Sequence, residues 1–148
     1  MTQEAPRILC IDDDAAFREA VSQRLKEEGF HVTAVATGRE GIVATWTERF
    51  DILLLDMDLP DATGLQTYQD LRANPATSKI PVILLTEYAK EERWEALPYE
   101  TEAPCFLMGR PACAPPLGGA GRPTDAILLM ARINQVLSGV GSGSGRTL

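Results

Sequence analysis

Apolar runs that end in oxygen-bearing side chains occur three times in this chain. The runs and the residues that follow them are Ile8–Ile11 before Asp12–Asp14, Ile52–Leu55 before Asp56, and Val82–Leu85 before Thr86. Short apolar runs of this kind are typical of strands that are buried on both faces of a parallel sheet. In open α/β sheets the ligand site lies beyond the carboxyl ends of the strands. We therefore expect an acidic pocket at that edge, suited to a divalent cation and a phosphoryl group.

Strand and helix signals alternate along most of the chain. Strands are predicted at 7–11, 31–36, 51–55 and 82–85, followed by a short fifth strand at 105–108. Helices are predicted at about 15–28, 38–49, 65–74, 88–97 and 125–138. In the second helix we expect Ile42, Val43 and Trp46 to form the buried side. The alternation predicts an α/β fold with a doubly wound parallel sheet.

Helix boundaries carry separate signals. Asp14 is placed to cap the first helix, and Gly29 is placed to end it. Thr37 and Glu40 have the spacing of a capping box that opens the second helix.

The length and composition favour a single domain with less regular segments. At 148 residues the chain can bury a real hydrophobic core. We predict a flexible N-terminus at 1–6, one domain at 7–138 and a flexible Gly/Ser-rich tail at 139–148. Within the domain, residues 98–123 hold six prolines and four glycines, so we expect the region around the fifth strand to be irregular.

Charge and hydropathy exclude several classes of partner. The formal net charge is -7 and no Lys/Arg cluster is present, which argues against direct binding to nucleic acid. No apolar stretch approaches the roughly 18 to 20 residues that a membrane span needs, so we expect no membrane insertion. The three cysteines are an odd number without metal-like spacing, and Cys10 is predicted to be a small core residue. We expect a cytoplasmic protein.

The strand-end carboxylates suggest a specific chemistry. Asp12, Asp13 and Asp56 would repel one another at neighbouring strand ends unless a cation joined them. Mg²⁺ is the expected ion, because it takes oxygen ligands and keeps several waters. One carboxylate could then act as the nucleophile in phosphoryl transfer, with Thr86 donating a hydrogen bond to the phosphoryl group. The alternative is structural, with Asp12–Asp14 capping a helix and Asp56 ending a strand.

At these residues the chain closely resembles the receiver domains of two-component response regulators, of the chemotaxis type. The matching pieces are Ile8–Asp14, Asp51–Gly64 and Ile80–Thr86, and the Asp-Met-Asp-Leu-Pro run with Gly64 after it is highly specific. The resemblance covers about residues 7–97, with a weaker match at 105–137. It implies a flavodoxin-like (βα)5 fold.

The resemblance also implies residue roles. Asp56 would accept a phosphoryl group from a histidine kinase or a phosphotransfer protein. Mg²⁺ would be held at Asp12, Asp13 and Asp56 and by the main-chain carbonyl of Asp58. The switch residues would be Thr86, through its hydroxyl, and Phe106, through its aromatic ring. Leu59-Pro60 and Gly64 would shape the loop over the site.

The chain departs from the family pattern on the basic side of the pocket. Receivers carry a lysine at the end of the fifth strand, and here Gly109 occupies that position when counted from the strand. Alignment on the following proline places Arg110 there instead, and a guanidinium is not equivalent to an ammonium. Lys90 is a weaker substitute. The residue after Thr86 is usually very small, whereas here it is Glu87.

These observations leave three functions open. The first is a phospho-accepting receiver that signals to a separate downstream effector protein, with a homodimer as an open alternative. The second is a pseudo-receiver, an interaction module that does not depend on phosphorylation. The third is a phosphatase of the haloacid-dehalogenase type, suggested by Asp56-Met57-Asp58. We expect no turnover of a separate substrate, and at most catalysis of the chain's own phosphorylation and dephosphorylation.

Overall fold

A parallel sheet of five strands forms the centre of the fold. The computed structural model describes residues 5–57, 59, 61, 64–86, 105–109 and 123–142. The strands are β1 (Arg7–Ile11), β2 (His31–Val35), β3 (Ile52–Asp56), β4 (Val82–Thr86) and β5 (Cys105–Gly109). Their order is β2-β1-β3-β4-β5, and every neighbouring pair is parallel. The predicted doubly wound sheet is therefore confirmed.

Helices connect and cover these strands. They are α1 (Ala15–Glu27), α2 (Gly38–Thr47), α3 (Gly64–Ala73) and α4 (Pro123–Ser142). The helix predicted at 88–97 lies outside the described residues, as does most of the irregular segment 98–123. Within the part of the chain that is described, no helix combines the length and apolar character needed to cross a membrane.

Alternate strand residues supply a core on each face of the sheet, as the period of a strand requires. With α1 and α4, one core contains Ile8, Cys10, Ile52, Leu54, Ile83 and Leu85. With α3, the other contains Leu9, Ile11, Leu53, Leu55, Val82 and Leu84. Because both faces are covered, the strands read as continuous apolar runs, and the expectation that Cys10 is a core residue is confirmed.

The buried side predicted for α2 was wrong. Trp46 is 69% exposed and Val43 is 42% exposed, and only Ile42 of the three packs against the core. The helix instead turns Gly38 and Gly41 inward. A Cβ atom on Gly41 would collide with Cδ1 of Ile11, so α2 reaches β1 at a distance that only glycine permits. This close approach rotates the larger apolar side chains outward.

The predicted caps of α1 and α2 are confirmed. The Asp14 carboxylate accepts hydrogen bonds from the Ala16 and Phe17 amides at 3.0 and 3.2 Å. Gly29 follows α1 with a φ of 95°, the left-handed conformation that favours glycine. The Thr37 hydroxyl oxygen accepts from the Glu40 amide at 3.1 Å.

The last helix ends later than predicted. It continues to Ser142, so residues 139–142 of the expected flexible tail are helical. Glycine lowers helix stability by only about 1 kcal/mol relative to alanine, and no proline follows Ser138 to force a stop. Each added residue also gains one main-chain hydrogen bond once the helix is nucleated.

Replacing a buried apolar residue should lower the free energy of unfolding much more than replacing an exposed one. Replacing buried Leu25 by alanine should lower the free energy of unfolding by about 2–5 kcal/mol. Replacing exposed Trp46 by alanine should change it by no more than about 0.5 kcal/mol. Urea unfolding followed by circular dichroism measures both. A larger loss for Trp46→Ala would mean that α2 buries the side predicted from hydropathy.

Candidate functional site

The acidic cluster lies where β1 and β3 end side by side. Their register pairs Ile11 with Leu55, which sets Asp12 and Asp56 at the same edge of the sheet. Carboxylate oxygens of Asp12, Asp13 and Asp56 lie within 4.8 Å of one another. Asp12 is fully buried, Asp56 is 6% exposed and Asp13 is open to solvent. The predicted convergence of these three residues is confirmed, and Asp13 faces solvent.

The electrostatics of this cluster favour a cation. Two unit charges about 4 Å apart interact by about 1 kcal/mol in water and about 4 kcal/mol at an effective dielectric constant of 20. Because Asp12 and Asp56 are buried, the repulsion within the cluster is closer to the value at the lower dielectric constant. Opposite ligands of an octahedral Mg²⁺ ion are about 4 Å apart. The spacing of the three carboxylates is therefore compatible with such an ion and its bound waters.

The segment that follows β1 holds Asp12 in place. Its main-chain N–H donates to the Val35 carbonyl at 3.0 Å, and its Oδ1 accepts from the Asp14 amide at 2.9 Å. The guanidinium of Arg18 donates to the Asp12 main-chain oxygen at 2.9 Å. Sequence reasoning had not selected Arg18, although its position in α1 brings it back toward the strand end. Asp14 serves as the cap of α1, as the structural alternative expects for that residue.

The segment that follows β3 is held by α3. Met57 donates its amide hydrogen to the Leu85 carbonyl at 2.9 Å, and Gly64 donates to the Met57 carbonyl at 2.8 Å. A Cβ atom on Gly64 would collide with the main-chain oxygen of Asp56. Glycine is therefore required here, because α3 begins directly against the backbone that carries Asp56. This contact agrees with the expectation that Gly64 shapes the loop.

Asp61 is a second residue that sequence reasoning placed only in a loop. Its carboxylate accepts hydrogen bonds from the Gly38 amide at 2.9 Å and the Arg39 amide at 3.0 Å. Hydrogen bonds from the Arg39 amide and then the Gly38 amide hold the pKa of Asp61 below its ordinary value. The side chain is therefore ionised at neutral pH. No local pattern could have revealed this contact, because the partners are more than twenty residues away.

Of the remaining predicted site residues, the structure gives strand positions for Thr86 and Phe106. Thr86 is the last residue of β4, and its register partner is Gly109, the last residue of β5. Phe106 lies in β5 opposite Ile83. The side chains of Thr86 and Phe106 are not described. The other candidate residues, which lie outside the described residues, are Asp58, Glu87, Lys90 and Arg110.

Comparison with known proteins identifies the family. Residues 8–104 match the model of the response regulator receiver domain. The chain belongs to this family. The match covers β1 through β4 and with them all three members of the acidic cluster. Receiver membership confirms the fold and family that the strand-end motifs suggested.

Similar proteins include both activators and sensors. The chain is 36% identical over 88 residues to the transcriptional activator protein PfeR of Pseudomonas aeruginosa, covering 60% of this chain and 28% of PfeR. It is 35% identical over 92 residues to the sensor protein GacS of Pseudomonas syringae, covering 60% of this chain and 10% of GacS. The chain thus spans less than a third of the length of these two relatives.

The fold is also similar to solved receiver structures. One is the signal receiver domain of a signal transduction histidine kinase from Syntrophus aciditrophicus, with a TM-score of 0.74 and 25% identity. The alignment covers 97% of this chain and 98% of that domain. The agreement over nearly the whole of both chains supports the five-stranded receiver topology.

A methyl group at position 64 should displace the backbone at Asp56 and lower the stability of the fold. We expect Gly64→Ala to lower the free energy of unfolding by about 1–3 kcal/mol, since the added Cβ meets backbone atoms that must shift. The matched control is Gln69→Ala, at an exposed position of the same helix, which should stay within about 0.5 kcal/mol of wild type. Equal stability of the two variants in urea unfolding would show that α3 does not contact the Asp56 backbone as described.

Proposed function

We propose that the chain is a phosphorylation-controlled receiver in which Asp56 accepts a phosphoryl group from a histidine kinase or a phosphotransfer protein. The observation that carries this proposal is the gathering of Asp12, Asp13 and Asp56 at one sheet edge, with carboxylate oxygens within 4.8 Å. Family membership supplies the chemical context. The phosphatase hypothesis has no comparable support, because the Asp-x-Asp motif lies within the receiver match.

In this proposal each carboxylate has a distinct task. Asp13, which is open to solvent, and Asp12, which is anchored by the Asp14 amide, would hold Mg²⁺ together with Asp56. The family pattern adds the Asp58 carbonyl as a further ligand. The ion, when bound, neutralises charge that an incoming phosphoryl group would otherwise meet. An Asp56 oxygen then attacks phosphorus while the bond from phosphorus to the donor nitrogen breaks, and an acyl phosphate forms. Thr86 and Phe106 are the proposed switch residues.

Output in this proposal passes to a separate effector protein in the cytoplasm. An acidic chain with a net charge of -7 offers little attraction for nucleic acid, so a protein partner is favoured over direct DNA binding. Any enzymatic activity is limited to the chain's own phosphorylation and dephosphorylation. Homodimer formation remains part of the proposal as an alternative mode of output.

One observation favours a second candidate, the pseudo-receiver. Gly109 ends β5 and is the register partner of Thr86, and counted from the strand it takes the position where the family pattern has a lysine. Glycine has no side chain with which to pair a phosphoryl group. A receiver without that cation would bind its partners without control by phosphate, unless Arg110 supplies the charge.

Phosphorylation should be direct and dependent on Asp56. After incubation with acetyl phosphate and Mg²⁺, intact-mass spectrometry should show the gain of one phosphoryl group. The gain should vanish in Asp56→Asn and when Mg²⁺ is chelated, because the nucleophile or the neutralising ion is then missing. The matched control is Asp70→Asn, an exposed aspartate of α3, which should be phosphorylated like wild type. A wild-type chain that binds Mg²⁺ but never gains mass would favour the pseudo-receiver.

A lysine at the end of β5 should increase phosphorylation of the chain if Gly109 occupies the lysine position. We expect Gly109→Lys to raise the phosphorylated fraction about tenfold at low donor concentration, because one added charge-assisted hydrogen bond is worth about 1.5–3 kcal/mol. Gly109→Ala controls for the loss of glycine. A strong loss in Arg110→Ala with no gain in Gly109→Lys would show that Arg110 already supplies the cation.

A further inference from the structure

We infer that Asp61 is a positioning residue that ties the loop after Asp56 to the start of α2 and thereby sets the shape of the metal pocket. The inference deepens the proposed function and rests on it, since the pocket is the one assigned there to Mg²⁺. Asp61 contributes no ligand and acts through the loop between β3 and α3, which contains Asp58.

The contact is a two-pronged hydrogen bond to a helix N-terminus. The first amides of a helix have no partners within the helix, and the helix dipole favours negative charge at that end. The Asp61 carboxylate meets two of these amides, those of Gly38 and Arg39, at 2.9 and 3.0 Å. Such charge-assisted bonds are stronger than neutral ones. These two bonds therefore restrain the loop at Asp61.

The contact joins two segments of the chain as well as capping α2. Helix α2 already has a local cap, because the Thr37 hydroxyl oxygen accepts a hydrogen bond from the Glu40 amide at 3.1 Å. The same hydroxyl donates a hydrogen bond to the Glu40 carboxylate. Asp61 adds its bonds from a separate segment of the chain, between β3 and α3. The contact therefore also restrains the loop.

Packing around the contact extends this restraint. Leu59 also packs against the core, and its Cδ1 would lie 3.6 Å from a Cβ atom built on Gly38. The same Cβ would approach the hydroxyl oxygen of buried Thr67 in α3 to 2.5 Å. Gly38 therefore allows the start of α2, the loop and α3 to meet closely.

The restraint also reaches the other side of the pocket. Helix α2 packs closely against the Ile11 side chain at Gly41, and Ile11 directly precedes Asp12. Contacts thus run from the loop after Asp56, through Asp61 and α2, to the end of β1. The end of β1 and the loop that follows β3 are therefore both in contact with α2.

The experiment compares Asp61→Ala with Thr37→Ala in the full chain. Each variant removes one side-chain cap from α2, but only the first releases the loop. Both should lower the melting temperature. Only Asp61→Ala should weaken Mg²⁺ binding in calorimetry, by about three- to tenfold, because a freer loop must be ordered on binding. It alone should also speed amide hydrogen exchange at Leu59, Asp61 and Gly64. Asp61→Asn, which keeps one acceptor oxygen, should lie between.

The outcomes separate this inference from the proposed function. Equal Mg²⁺ affinity and equal loop exchange in Asp61→Ala and Thr37→Ala would overturn the inference, even if wild type is phosphorylated. Weaker Mg²⁺ binding in Asp61→Ala would support it, even if Asp56 never accepts phosphate and the proposed function fails. If Asp61→Ala does not fold, Asp61→Asn carries the same comparison. A wild-type chain that binds no Mg²⁺ would overturn both.

Discussion

Repulsion among the carboxylates of Asp12, Asp13 and Asp56 is the interaction on which the rest of the account depends. Parallel pairing of β1 with β3 places these groups at one edge, and burial of two of them strengthens the repulsion. A fold that only had to be stable would avoid such an arrangement. The cluster is explained if a cation occupies it during function.

Much of this architecture could be predicted from sequence because its signals are local. Strands buried on both faces give continuous apolar runs, so the five strands were found to within about one residue of their observed bounds. Caps such as Asp14 and Thr37 act over two or three residues and follow directly from residue type. The acidic cluster could be predicted for a topological reason, since parallel strands deliver their carboxyl ends to one edge.

The parts that escaped prediction depend on contacts between distant segments. Hydropathy assigned Trp46 to the core, but α2 approaches β1 through Gly41, and a residue without a side chain gives no signal in such a pattern. Asp61 resembled any loop aspartate until the fold brought it to the amides of Gly38 and Arg39. The end of α4 was missed because glycine weakens a helix without stopping it.

The proposed function requires that a divalent cation bind at the three carboxylates, and Mn²⁺ in place of Mg²⁺ is a direct probe of this binding. Paramagnetic Mn²⁺ added to isotope-labelled protein should broaden first the amide signals of residues 12–14 and 56–57, and excess Mg²⁺ should restore them. Asp13→Asn should shift this broadening to higher Mn²⁺ concentration, because one ligand charge is lost. Broadening spread over exposed acids such as Asp51 and Asp70, and unchanged in Asp13→Asn, would contradict the account.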